Sequence, residues 1–376
     1  EQFAANGAAW HAPLTSGILH GLAGETRAKL MEIAATSLPP EAAAAFLSAA
    51  PCRPDTWRML DSFVEIQRAY WRNVRPGILL LEGEELRYAV DSLIGAERHR
   101  TAFACLHVSA NRGDPEQLLV LLEGIVAGLE PDGPLVDQWL AFEAIKRIGA
   151  ADIVARRQLA RLEFVFFDGV HREKSTPRLL AELMSDPDLF IECITLAFKP
   201  HNGPDEQVDE SLRHSAQTAW SLMHEGRGIP GLQKNGSVDT LQFDTWINRV
   251  RLRGIEIDRQ AVTDITIGQW LSACPSDPDG TWPCLLVREL LESPDAEDIR
   301  RGFSTGIFNN RGVHSRSPTA GGTQERDLAS HFRKHADAVL ISHPSTAEVL
   351  ISVAKGYERR AAGEDDDANL VREGIW

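Results

Sequence analysis

Cysteine is scarce in this chain, and what there is does not pair. Cys52, Cys105, Cys193, Cys274 and Cys284 are odd in number and widely spread. They lack the short paired spacings of a zinc site or a small disulfide scaffold, so a packed core must hold the fold, and a reducing, cytoplasmic setting is expected. Long apolar runs are missing too. No stretch reaches the roughly 18 consecutive apolar residues that a bilayer crossing needs. The N-terminal residues have neither the basic region nor the apolar run of a signal peptide. The chain opens at Glu1 with no Met, which we read as the mark of a fragment of something longer rather than of a processed product. Positive charge is also in short supply. With 39 basic against 54 acidic residues the formal net charge is -15, a field that repels nucleic acid and anionic membranes. Finally, the chain carries no Walker A loop, dinucleotide-binding glycine fingerprint or kinase signature. An NTPase or dehydrogenase would need a region outside these residues.

What the sequence does have is apolar material at helical spacing. Hydrophobic residues make up 43% and charged residues 25%, near the globular average. At 376 residues the chain allows either two domains or one elongated repeat array. Trp57, Leu60, Phe63, Val64, Gln67 and Trp71 recur at steps of three and four behind Asp55, and Leu118, Leu119, Leu122, Ile125, Val126 and Leu129 do so behind Asp114 and Pro115. The same period marks Leu212 to Met223 and Phe243 to Val250, the latter capped by Ser237 or Asp239. The β-branched or aromatic stretches Phe164 to Phe167, Phe190 to Phe198 and Val262 to Ile267 have no hairpin turn beside them, so helix is the better reading there as well.

Prolines at near-regular intervals, among them Pro115, Pro177, Pro187 and Pro344, suit helix starts, where a missing N–H costs nothing. The fold class expected is therefore all-α: an irregular, HEAT-like α-solenoid of antiparallel helix pairs, each pair burying its apolar stripe against its neighbours. A compact bundle is the alternative. The breaker-rich stretches Lys199 to Glu206 and Gly226 to Asp239 place the division between an N-terminal half, 1–200, and a C-terminal half, 205–376. The C-terminal end reads as a helical hairpin, Thr323 to Ser342 turned at His343-Pro344 into Ser345 to Ala362, followed by an acidic break, Gly363 to Asp367, that frays.

Several patterns carry possible chemistry. Gly302-Phe303-Ser304-Thr305-Gly306 matches a nucleophile elbow, with Ser304 and His314 as its only natural actors, but the flanks lack the strand-to-helix turn that lifts such a serine, and a Gly-terminated helix is favoured. Asp327, His331 and His335, spaced by four, share a helix face and have a two-histidine metal spacing, yet no further ligands follow in sequence. The segment Gly302 to Gly322 is the most function-like loop. In it Asn310, Arg311, His314 and Arg316 lie among glycines whose backbone N–H groups suit an anion such as a phosphate or a partner's carboxylate. If the loop is a clasp instead, Arg311 or Arg316 should be buried against carboxylates. Arg249, Arg251, Arg253 and Arg259 form a basic cluster better explained by internal salt bridges, and Asp277-Pro278-Asp279-Gly280 is a turn without a calcium-loop pattern.

The stretch from Gly302 to Asp367, with Arg311-Gly312-Val313, Gly321-Gly322, Gln324-Glu325-Arg326 and Tyr357-Glu358-Arg359, resembles the C-terminal helical module of large bacterial multidomain proteins of the sensor or defence type. The resemblance implies a helical module whose enzymatic or NTPase part lies upstream, and it carries over no catalytic residue. The function expected is a non-enzymatic scaffold or sensor module with no cofactor, binding a protein partner, an upstream domain of the same polypeptide or a small anionic ligand. The alternative is a stand-alone metal-assisted enzyme around Asp327, His331 and His335.

Overall fold

The computed structural model describes residues 12–76, 83–106, 113–167, 177–203, 212–312, 317 and 319–373. Among them are nineteen α-helices and no β-strand, only a single antiparallel bridge between Leu232 and Val238. The all-α fold of packed helix pairs expected from the sequence is the one observed. All three ambiguous stretches fall within or at the ends of helices. The chain forms two compact units, Glu1–Thr176 and Pro177–Trp376.

The first unit contains α1 (Ala12–Gly21), α2 (Gly24–Ser37), α3 (Pro40–Leu47), α4 (Pro54–Leu60), α5 (Val64–Asn73), α6 (Gly83–Gly95), α7 (His99–Ala104), α8 (Pro115–Val126), α9 (Gln138–Ala151) and α10 (Arg156–Val165). Mostly helices adjacent in sequence pack together, and α3 meets α5. One core runs through them, from Leu47, Trp57, Leu60 and Tyr70 to Leu93, Phe103, Leu122, Ile145 and Ile148. The starts follow the expected chemistry. Pro115 opens α8 behind Asp114, whose carboxylate accepts the Glu116 N–H at 2.9 Å, and Asp137 accepts from Leu140 N–H at 3.0 Å. Asp55 is a departure from expectation. Pro54 takes the first helical position of α4, so Asp55 lies inside the first turn and Arg53 is the cap residue.

The second unit contains α11 (Pro177–Ser185), α12 (Pro187–Ala197), α13 (Arg213–Glu225), α14 (Thr240–Glu256), α15 (Gln260–Leu271), α16 (Leu285–Glu292), α17 (Glu297–Asn310), α18 (Thr323–Val339) and α19 (Pro344–Arg372). The units part between Thr176 and Pro177 rather than at 200–205. The reason is packing. Trp246 of α14 donates its indole N–H to the Leu183 carbonyl of α11 at 2.9 Å, and Phe190 of α12 sits edge-on to Trp246 and Trp270 at 4.9 and 5.4 Å. These buried aromatics tie α11 and α12 to α14 and α15.

Two C-terminal expectations change. The glycines at 302 and 306 do not end a helix or open a loop, for both lie inside α17. A Cβ at Gly302 would sit 2.0 Å from the Ile265 carbonyl oxygen, and one at Gly268 of α15 would sit 2.0 Å from that of Ile299, so the glycines exist to let α15 and α17 cross backbone to backbone. Ser304 is therefore a mid-helix residue and no nucleophile elbow forms. The acidic break at 363–367 is not a break either, because α19 continues to Arg372. Asp365 holds it down by accepting the Gly322 N–H at 2.9 Å and pairing with Arg326, while Ala368 is buried one turn later. The helical hairpin itself is present, with Phe332 of α18 stacked on Tyr357 of α19 at 5.7 Å.

Candidate functional site

The fate of the Gly302 to Gly322 segment decides where a site can be. Because α17 absorbs it as far as Asn310, the loop shortens to the residues beyond that helix, of which His314 and Arg316 lie outside the described residues. Arg311 takes the clasp role. Its Nη2 donates to Glu325 Oε1 at 2.7 Å, its guanidinium lies 5.7 Å from the Tyr357 ring, and the side chains of Arg311 and Glu325 are only 13% and 2% exposed. This cation holds the end of α17 onto the terminal hairpin. Asn310 is a bridge. Its amide Nδ2 donates to Ser272 Oγ at 2.9 Å, and its Oδ1 accepts from Arg227 Nε at 2.5 Å.

Following Asn310 to Arg227 leads to a groove that the sequence did not single out. Its volume is about 560 Å³, and His224, Glu225, Arg227, Phe308, Asn309 and Gly312 line it. Arg227 follows the end of α13 and curls back over it. Its Nη1 donates to the carbonyls of His224 and Gly226 at 3.0 and 2.6 Å. With Nε on Asn310, three of its five N–H donors meet neutral oxygens, and among the described residues the Nη2 amino group meets no acceptor. Burial lowers the Arg227 pKa from its ordinary value, partly offset by the nearby Glu225 charge. A guanidinium so placed is fixed in orientation before any anion arrives, and an anion would relieve its desolvation.

His224 forms the neighbouring wall. Its Nδ1 lies 2.8 Å from the Trp220 carbonyl, which can only accept, so Nδ1 carries a proton and donates it there. Trp220 fixes the imidazole by lying 3.9 Å from it, ring centre to ring centre. The signals for these residues were present in the sequence: a Trp four residues ahead of a His on one helix face, then an Arg between Gly226 and Gly228. Trp220 reads there only as part of the apolar period of its helix, and Arg227 falls in the Gly226 to Asp239 stretch, whose breakers read as a connector.

The other candidates have structural partners. Arg249 and Arg253 both face Asp188, at 3.4 and 3.8 Å, Arg251 contacts Asp264 and Asp295 at 3.0 and 3.1 Å, and Arg259 donates to the Phe198 carbonyl at 2.7 Å. The basic cluster is an internal salt-bridge surface. Asp277 closes a turn, with Gly280 N–H on its carbonyl at 2.8 Å and Arg288 on its carboxylate at 2.8 Å. The rings of His331 and His335 lie 4.5 Å apart and His335 packs on Trp282, but Asp327 does not join them in a ligand set. Among the described residues no group of three His, Cys, Asp or Glu side chains could hold a metal ion. Burial, then the His331 charge, lowers the His335 pKa. No described helix is long and apolar enough to cross a membrane. No protein family, curated protein or solved structure matches this chain.

Proposed function

We propose that this protein is a helical binding module that captures an anionic group, phosphate or carboxylate, in the Arg227 groove, the group being carried by a small ligand or by a protein partner. The observation that supports this reading is the Arg227 guanidinium itself, held by three neutral oxygens with one amino group that meets no acceptor among the described residues. Asn310 is a positioning residue in this scheme. Arg311 holds the frame, and the expectation from the sequence that His314 and Arg316 also bind the anion concerns residues outside the described ones. In the larger setting the module is the C-terminal helical part of a cytoplasmic bacterial sensor or defence protein whose catalytic part lies upstream.

Thermal melting of the full chain in rising inorganic phosphate, at ionic strength held constant with chloride, tests this. A ligand at ten times its Kd stabilises the folded state by about 1.4 kcal/mol, so the melting temperature should climb by several degrees. Arg227→Ala should lose that response, while Arg249→Ala, which removes a surface partner of Asp188, should keep it. An unchanged response in Arg227→Ala would overturn the assignment.

A further inference from the structure

The Arg227 groove holds charge of both signs, which narrows what it can take. Both helices that frame it end there. α13 stops at Glu225 and α17 at Asn310, and the groove is lined from their last turns by His224, Glu225, Phe308 and Asn309, with Arg227 and Gly312 just beyond. The last four carbonyls of a helix have no partner within it, so each end carries partial negative charge and favours a cation. Glu225, exposed at the end of α13, adds a full negative charge to the same wall.

Arg227 answers only part of this. Its Nη1 covers the His224 and Gly226 carbonyls at the end of α13, and its Nε meets Asn310 at the end of α17. A bare anion on the remaining Nη2 donors would sit beside Glu225 and two helix ends that repel it, in a chain of net charge -15. A ligand that brings its own cation removes the conflict. Its zero net charge escapes the overall field, its anion meets Arg227 and its cation meets Glu225. Only Gly226 separates these two residues, so their Cα atoms are at most about 7 Å apart and one small molecule spans both side chains. A carboxylate has about four acceptor positions, so Glu225 can take an ammonium alongside any other partner. Asn309, also exposed, offers an amide that donates to a carboxylate or accepts from an ammonium.

We propose that the ligand of this groove is a small zwitterion, a free α-amino acid, whose carboxylate takes the Arg227 Nη2 donors and whose ammonium takes the Glu225 carboxylate. This rests on the reading of the groove as an anion site and names the molecule that carries the anion. The α-carbon bears both charged groups, so the ligand bridges the two residues without stretching. A peptide end or a phosphate ester offers one sign of charge at a time and leaves the other wall unanswered. The groove, of about 560 Å³, is large enough to take a side chain as well, and half-buried Phe308 forms its apolar wall.

The test is calorimetric titration of the full chain with each standard L-amino acid, with the N-acetyl and carboxamide forms of the tightest binder, and with inorganic phosphate. At least one amino acid should bind at a single site, about tenfold or more tightly than either blocked form, since each block removes a hydrogen bond to a charged group. Glu225→Gln should weaken that amino acid by up to about fivefold and tighten phosphate, because the same carboxylate attracts one ligand and repels the other. Arg227→Ala should lose both. Phosphate bound through Arg227 with no amino acid bound better than its N-acetyl form would overturn the zwitterion and leave the anion site standing. So would a Glu225→Gln effect of the same sign on both ligands. Binding of neither ligand, or binding of both without Arg227, would overturn the two readings together. The comparison of blocked and unblocked amino acids uses the wild-type chain alone, so it decides even where a variant fails to fold.

Discussion

Arg311 and Glu325 show how burial decides the worth of an ion pair. Replacing Arg311 with Ala leaves the Glu325 carboxylate in a site that is 2% exposed, and breaking a buried pair from one side costs about 3 to 5 kcal/mol. Adding Glu325→Gln to Arg311→Ala should recover much of that loss, since the buried carboxylate's charge is gone. Arg333 and Glu358 also make a two-pronged contact, at 2.8 and 2.9 Å, yet their side chains are 44% and 43% exposed. Arg333→Ala should cost only about 0 to 1 kcal/mol. Denaturant unfolding of the three variants checks the contrast, and equal losses for both arginines would refute it. Glu292 gives a second residue-scale expectation. It accepts the Ser345 and Thr346 N–H groups at 3.0 and 2.8 Å and the Thr346 hydroxyl at 2.9 Å, capping α19 from the end of α16. Burial opposes its ionisation, but these donors outweigh burial and hold the carboxyl below the usual range. Because the folded-state pKa is depressed, the stabilisation is present above the unfolded value of about 4.3 and is lost as pH falls through the folded one. Glu292→Gln should lose about 1 kcal/mol at neutral pH, as for a lost cap, and the gap to wild type should narrow on acidification, which melting curves between neutral pH and pH 3 would show. Asn310 and Arg311 were visible in the sequence as residues with work to do, but their partners, Arg227 at one end and Glu325 at the other, are set by helix packing that no local pattern encodes.

Among the elements, the crossing of α15 and α17 is the most sequence-sensitive. Gly268 and Gly302 each face only backbone across the contact, so an added methyl there has no flexible side chain to displace and must push the helices apart, while Gly306 meets the Ser272 hydroxyl and the Gln269 carbonyl. Gly302→Ala should therefore cost about 1 to 3 kcal/mol. Gly17→Ala, at a helical glycine with nothing within 4 Å of its would-be Cβ, should instead stabilise by up to about 1 kcal/mol, the usual helix preference of alanine over glycine. Opposite signs in two thermal melts confirm the reading, and a neutral Gly302→Ala would contradict it. The elements themselves were legible because their apolar residues repeat every 3.6 positions. The 302–306 pattern was not, since small residues four apart look the same whether they sharpen a turn or open a helix face. The continuation of α19 past Gly363 was likewise hidden, because its anchor at Asp365 reaches back to Gly322.

For the whole molecule, the balance of breakers and periodic stretches revealed an all-α chain, but not where its two compact units part. Composition marks loops at 199–206 and 226–239, whereas the division follows from which helices Phe190 and Trp246 pack against. The groove near Arg227 lies within one unit and belongs to a chain of net charge -15, whose overall field opposes anions, so any anion it holds must be held by local geometry. Calorimetric titration of the full chain with inorganic phosphate tests that claim most directly. The account predicts saturable binding at one site per chain, lost in Arg227→Ala, weakened in Asn310→Ala and unchanged in Arg249→Ala. Absence of saturable binding in the wild type, or binding of equal strength in Arg227→Ala, would contradict it.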